Sequence, residues 1–253
     1  MVGGMTKPTQ SSGIDWPVFA VTVSAAFMVA LDLSIVNVAF PSISASFDDV
    51  STATLSWVLA AYSVIFGALL LGAGRIADRS GRRRTFLVGT AVFGVGSLLC
   101  GAAPSAWFLI GGRAVQAVGA ALVMPASLAL LLTATRADAR AQAVAMWGGI
   151  SALAVATGPS LGSVLIDAGG WRWAFLVNLP IVVVGLVVTR GIVAESAIGG
   201  RLPDLVGIAA VTVAVGSVAL AITQGGDWGW SDARVIAAAI LGIGLVPMIL
   251  RRS

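Results

Sequence analysis

Residues 107–132 read WFLIGGRAVQAVGAALVMPASLALLL, with Arg113 as the sole charge. A helix that crosses a bilayer needs roughly 20 mostly apolar residues, and this stretch meets that length. Strands of a membrane barrel would alternate apolar and polar residues over about 10 positions. No such alternation is present, so the stretch reads as a membrane helix. The same texture recurs along the chain: 50–74, 85–112, 114–135, 141–166 and 205–226 contain no Asp, Glu, Lys or Arg. Eight spans are expected, near 17–39, 55–73, 86–103, 107–132, 141–166, 173–193, 205–222 and 235–250.

Composition agrees. Of 253 residues, 58% are apolar and 10% charged, against roughly 45–50% and about 25% in soluble domains. Mean hydropathy is +1.00. The chain has no His, which excludes an imidazole base, a His–metal site and a His proton relay. The single Cys100 forms no intrachain disulfide and no cysteine cluster for zinc or iron–sulfur. Lys7 is the only lysine and no GxxxxGK[ST] loop exists, so ATP-driven work by this chain is not expected. No nucleophile–base pair for hydrolysis is recognisable. The reading is not an enzyme, with no cofactor, no metal and no nucleic-acid partner.

The isoelectric point near 10.5 reflects topology, because the basic residues sit between apolar blocks. With the N-terminus in the cytoplasm, the inner segments hold Lys7, Arg75, Arg79, Arg82, Arg83, Arg84, Arg136, Arg140, Arg190, Arg201, Arg251 and Arg252. The outer loops hold only Arg172 and Arg234. That imbalance sets the orientation, and eight spans return the C-terminus to the cytoplasm. The expected outer interface carries Trp57, Trp107, Trp171, Trp173, Trp228 and Trp230. The first apolar stretch exceeds the 7–15 residues of a signal-peptide core, so it reads as a retained span preceded by a disordered cytoplasmic tail over 1–15.

Two charges lie well inside spans, Asp32 and Arg113. An ionisable residue at such depth is costly, and its default reading is functional. At 1.5 Å per residue, Asp32 lies ~10 Å and Arg113 ~9 Å from the outer ends of their spans, so the two can pair if their helices are neighbours. Arg does not deprotonate in practice. Asp32 is therefore the member that takes a proton, and protonation would weaken its attraction to Arg113 and shift the bundle between two states. The structural alternative is an ion pair that only fixes helix register. Asn37 and Gln116 are candidates for extending this polar surface into a substrate cavity, Gln116 lying at i+3 from Arg113; helix-packing hydrogen bonds are the alternative. Ala154, Gly158 and Gly162, spaced by four, form a smooth ridge that lets another helix approach closely. Pro159 interrupts its backbone hydrogen bonding. Between the second and third spans stands GRIADRSGRRRTF, from Gly74 to Phe86. Gly81 suits a tight turn, and Asp78 and Arg79 are placed for charge-assisted contacts at helix ends.

These residues resemble the major facilitator superfamily, and specifically its 14-helix drug:proton antiporters of the EmrB/QacA type. The family's loop motif is matched by Gly74, Ala77, Asp78, Arg79, Gly81, Arg82 and Arg83. LDLSIVNVAFP, from Leu31 to Pro41, is similar to the subfamily's first-helix motif. Leu109, Arg113, Gln116, Gly119, Ala120 and Ala121 match the fourth-helix motif, with Ala117 where Gly is usual. Gly158, Pro159 and Gly162 match the fifth-helix antiporter motif, with Ala154 and Ser163 where Gly is usual. WRWAFLVNLP (171–180), PDLVG (203–207) and WGW (228–230) are similar to the 14-helix group.

The resemblance implies an all-α integral membrane fold: a six-helix N-terminal transporter domain over 16–194, built of two inverted three-helix repeats, then a linker and two additional transmembrane helices over 195–253. It implies proton coupling at Asp32 and Arg113. Gly74, Asp78, Arg79, Gly81, Arg82 and Arg83 would form a cytoplasmic gating loop, with Asp138 joining it. Gly158, Pro159 and Gly162 would form a helix interface that changes during alternating access. The implied activity is proton-driven efflux of amphipathic, often cationic, small molecules across the plasma membrane. Nothing in the sequence corresponds to a second six-helix domain, and alternating access rocks one half against another. A homodimer or a separate C-terminal half is therefore the expected partner, and a truncated, non-transporting remnant is the alternative.

Overall fold

Asp15 starts the first helix by accepting a hydrogen bond from the Val18 N–H at 3.2 Å, with Pro17 in the opening turn. The computed structural model describes residues 13–196 and 205–252, and every regular element among them is helical. In chain order these are α1 (Trp16–Ser46), α2 (Thr52–Leu55), α3 (Trp57–Ser80), α4 (Arg82–Gly101), α5 (Ala106–Ala134), a 3₁₀ turn (Ala137–Ala139), α6 (Arg140–Gly169), α7 (Trp173–Leu176), α8 (Asn178–Ile192), α9 (Leu205–Trp228), α10 (Ala233–Gly244) and α11 (Val246–Arg252).

Among the described residues, seven helical segments are long and apolar enough to cross a bilayer, and they coincide with the first seven expected spans. The eighth differs. The stretch expected as one span over 235–250 is divided into α10 and α11, and the apolar segment Ala233–Ile249 falls short of the others. Pro247 explains the break, since it donates no backbone hydrogen bond and its ring crowds the carbonyl of Ile243 one turn earlier. The tail expected over 1–15 also differs where it is described. Ile14 is buried against Phe19, Leu131 and Ala143, and the Gly13 carbonyl accepts from the Arg136 N–H at 2.8 Å. Residues 1–12 and the linker residues 197–204 lie outside the described residues.

The helix contacts repeat with a two-fold logic. α1 packs on α6 as α5 packs on α3, and α5 packs on α4 as α1 packs on α8. The first helix of each three-helix unit therefore lies against the second and third helices of the other, as inverted repeats require. Small residues make the close approaches. A methyl group on Gly96 would meet the Gln116 backbone at 2.6 Å, and one on Gly89 would meet Leu122 at 2.8 Å. Van der Waals packing of this kind replaces the hydrophobic effect between helices in lipid. α9 rests on α3 and pairs with α10.

The two largest apolar clusters among the described residues fill the bundle interior. One contains Met28, Tyr62, Phe86, Phe93 and Val123. The other contains Leu31, Ile35, Val58, Leu109, Trp171 and Phe175. Trp171 is 2% exposed and donates its indole N–H to Ser46 Oγ at 3.0 Å. Burying the ring requires a partner for that N–H, and the end of α1 supplies it.

Candidate functional site

The junction of the two apolar clusters holds the buried charges Asp32 and Arg113. Met28 and Val29 belong to one cluster and Leu31 to the other, with Asp32 next in the chain. On α5, Arg113 falls between Leu109 and Ala117 in the same way. Arg113 Nη1 donates to Asp32 Oδ2 at 2.7 Å, and neither side chain has any exposed surface. The matching depths read from helix rise thus become a direct contact.

Each neighbouring element adds a ligand to this pair. From α5, Gln116 Nε2 donates to Asp32 Oδ1 at 2.7 Å while its Oε1 accepts from Arg113 Nη1 at 2.7 Å. From α8, Asn178 Nδ2 donates to Asp32 Oδ1 at 3.0 Å. From α4, Ser97 Oγ accepts from Gln116 Nε2 at 2.9 Å. From α3, the Val58 carbonyl accepts from Arg113 Nε at 3.0 Å, and the Tyr62 ring lies with its centroid 4.0 Å from the guanidinium carbon. Both buried charges are therefore paired and hydrogen-bonded, which is what lets them persist in an apolar interior. The Tyr62 hydroxyl and Arg113 Nη2 are buried without a hydrogen-bond partner.

Asn37 does not join this network. It is exposed, and its amide donates to the Leu33 carbonyl of its own helix at 2.7 Å. Five residues beyond Asp32, it points to another face of α1. Conversely, Asn178, Ser97, Val58 and Tyr62 were not identified from sequence. Asn178 stood in the quoted WRWAFLVNLP stretch without a role, and an amide opening an apolar span is the signal it offered.

The GRIADRSGRRRTF loop is a tight connection between α3 and α4. Gly81 has φ +101°, in the region that favours glycine. Arg82 bridges Asp78 at 2.8 Å and also contacts the Thr133 hydroxyl at the end of α5. Glu195, beyond α8, accepts from the backbone N–H groups of Arg83 and Arg84, both at 3.0 Å. The Arg82 N–H donates to the Ser196 carbonyl at 2.8 Å. A side chain on Gly81 would strike the Glu195 carboxyl group. Glu195 thus caps the first turn of α4, where an anion also meets the helix dipole. Gly74, one helical face earlier, lies near Pro125 of α5. Arg79 occupies the exposed last turn of α3. Asp138 pairs with Arg136 at 2.8 Å, and both partners are largely exposed.

The ridge on α6 faces α1. Ala154, Gly158 and Gly162 are buried while Pro159 is exposed. Gly158 sits directly against Ser34, whose hydroxyl donates to the Val155 carbonyl at 2.8 Å, and α6 continues through Pro159 without interruption.

The model of the Major Facilitator Superfamily matches residues 22–197. The chain belongs to the Major Facilitator Superfamily. The matched residues include Asp32, Arg113, the α3–α4 loop and the α6 ridge. Among relatives, the chain is 40% identical over 232 residues to Multidrug resistance protein Stp of Mycobacterium tuberculosis, covering 90% of this chain and 43% of that one. It is 33% identical over 252 residues to the Methylenomycin A resistance protein of Bacillus subtilis, covering 99% and 53%. The chain spans about half the length of the curated relatives it matches. A crystal structure of the peptide transporter POT superposes with a TM-score of 0.62 at 17% identity, over 93% of this chain and 51% of that one. At that identity the likeness is one of fold. Major Facilitator Superfamily membership makes this a multi-pass membrane protein of a transporter family, and its named relatives are drug and antibiotic resistance proteins.

Proposed function

We propose that this chain forms the N-terminal half of a proton-driven drug exporter in the plasma membrane, and that Asp32 is its proton site. The observation that carries the reading is the fully buried Asp32–Arg113 pair at 2.7 Å, inside a family member whose relatives are named for drug resistance. Arg113 keeps its charge, so Asp32 is the member that exchanges a proton. Proton binding neutralises the attraction that ties α1 to α5, and an ionisable residue at this depth is retained because it works.

The remaining assignments follow the same frame. The chain crosses the membrane eight times with both termini in the cytoplasm. Support comes from the gathering of Arg82, Arg83, Arg136, Arg140 and Arg190 near one end of the bundle, through the contacts Arg82–Thr133, Arg83–Arg190 and Arg140–Leu132. The α3–α4 loop with Asp78 and Arg79 latches the cytoplasmic side. Gly158, Pro159 and Gly162 form the interface that rearranges. Transport requires a second six-helix half, supplied by the same polypeptide, a second copy or another chain. The substrates are amphipathic, often cationic, drugs.

Dye efflux from drug-sensitive cells making the protein tests the reading, with Asp32→Asn at equal membrane level. Efflux that is abolished by Asp32→Asn and by an uncoupler is the expected result. Undiminished efflux in Asp32→Asn overturns the proton site. No efflux from the wild-type chain at good membrane expression means that it does not transport without a second half.

A further inference from the structure

The two oxygens of Asp32 are not equivalent. Oδ1 accepts from two amides, Gln116 Nε2 at 2.7 Å and Asn178 Nδ2 at 3.0 Å. Among the described residues, Oδ2 accepts from Arg113 Nη1 alone, at 2.7 Å. Neutral amides continue to donate to the carbonyl oxygen of a protonated acid, so Oδ1 stays occupied in either state. A proton therefore goes to Oδ2, and because the guanidinium has no acceptor the new O–H turns away from Arg113 and the contact between them weakens. The carboxylate becomes a neutral acid, and the buried pair changes from net zero to net +1. That charge sits on Arg113, and an uncompensated charge in an apolar interior is costly.

What faces Arg113 on its other side decides how costly. Val58 and Tyr62 lie one turn apart on the same face of α3. The Val58 carbonyl accepts from Nε at 3.0 Å, and the Tyr62 ring covers the guanidinium at 4.0 Å. Phe175 of α7 is more distant, at 5.8 Å. The face of an aromatic ring attracts a cation, and more strongly where water is excluded. The Tyr62 hydroxyl has no hydrogen-bond partner, so the ring face is the part that acts. We propose that Tyr62 is a positioning residue of the proton site: its ring holds the Arg113 guanidinium on α3 once Asp32 has taken a proton, and thereby sets the pH at which the proton is taken up. This rests on the assignment of Asp32 as the proton site.

The ionisable groups facing Asp32 are few. α5 presents Arg113, α3 presents Tyr62, and α4 presents Cys100, which lies 3.9 Å from Gln116 Oε1. α8 brings the neutral Asn178, with Arg190 near its far end, and α6 carries Arg140 and Asp167 near its two ends. Tyr62 is the group among them whose ring contacts the cation.

The test is the infrared carboxyl band of Asp32, titrated in the purified protein in lipid nanodiscs, with Asp32→Asn assigning the band. Tyr62→Phe keeps the ring and is expected to leave the midpoint in place. Tyr62→Leu and Tyr62→Met remove the ring and are expected to move the midpoint to lower pH by roughly half a unit or more. Melting curves establish which ring-less variant is folded. A wild-type midpoint in a folded ring-less variant overturns the role of Tyr62 and leaves Asp32 as the proton site. An equal shift in Tyr62→Phe assigns the effect to the hydroxyl and overturns it too. A band that is absent at every pH overturns the proton site and this inference together.

Discussion

Asp32 on α1 and Arg113 on α5 meet at 2.7 Å with no exposed surface on either side chain. They come from the first helix of each three-helix unit, and so the pair lies where the two units face each other. Removing one partner of a buried pair typically costs about 3–5 kcal/mol, because the other charge is left uncompensated. Arg113→Ala should destabilise the protein by that order. Combined with Asp32→Asn it should cost less than the sum of the two changes. Thermal unfolding in detergent reads this, and coupling above about 1 kcal/mol is expected; strictly additive losses would show that the pair is not coupled.

Gly158 packs against Ser34 without room for a methyl group. Gly158→Ala should cost about 1–3 kcal/mol through overpacking. Ser34→Gly should restore most of that loss, because Ser34 is the neighbour that is struck. Gly148 on the same helix has nothing within 4 Å of an added Cβ, so Gly148→Ala should be neutral or slightly stabilising. Melting temperatures of the four proteins check this. Equal losses at Gly148 and Gly158 would contradict the close α1–α6 contact.

Glu195 holds the start of α4 through two backbone N–H groups. Glu195→Ala should cost on the order of 1 kcal/mol as a lost cap. Amide exchange at Arg83 and Arg84 should rise selectively. Unchanged exchange at those two residues would show that the cap does not form.

Asp232, which precedes the apolar stretch of α10, caps that helix by accepting from the Arg234 N–H at 2.8 Å. Hydrogen bonds from the Arg234 side chain and backbone hold its carboxyl below the ordinary value of 3.8. A lowered folded-state value means that the cap is intact at neutral pH and is lost only as pH falls through the acid range. The carboxyl carbon of labelled Asp232 should titrate below 3.8, and Arg234→Gln should raise that midpoint.

Much of the site was legible because charge is conspicuous in apolar sequence. Asp32 and Arg113 stood alone in their spans, and helix rise placed them at one depth. Gln116 followed from i+3 spacing on a shared face. Asn37 did not follow, because a short amide can satisfy itself on the preceding turn of its own helix, as its bond to Leu33 does. Asn178 and Tyr62 reach the site from other helices, and no local spacing encodes which face of α8 or α3 turns inward. Glu195 acts through a chain reversal that ties it to the α3–α4 loop, a contact 112 residues apart in sequence. Apolar content alone does not register the break that Pro247 introduces between α10 and α11.

Proton movement driven by drug is the most direct test of the account. The protein in lightly buffered liposomes with an internal pH dye, given a cationic drug on one side, should move protons opposite to the drug. Asp32→Asn should move none at equal protein content. Proton exchange of equal size in Asp32→Asn would contradict the assignment of Asp32 as the proton site.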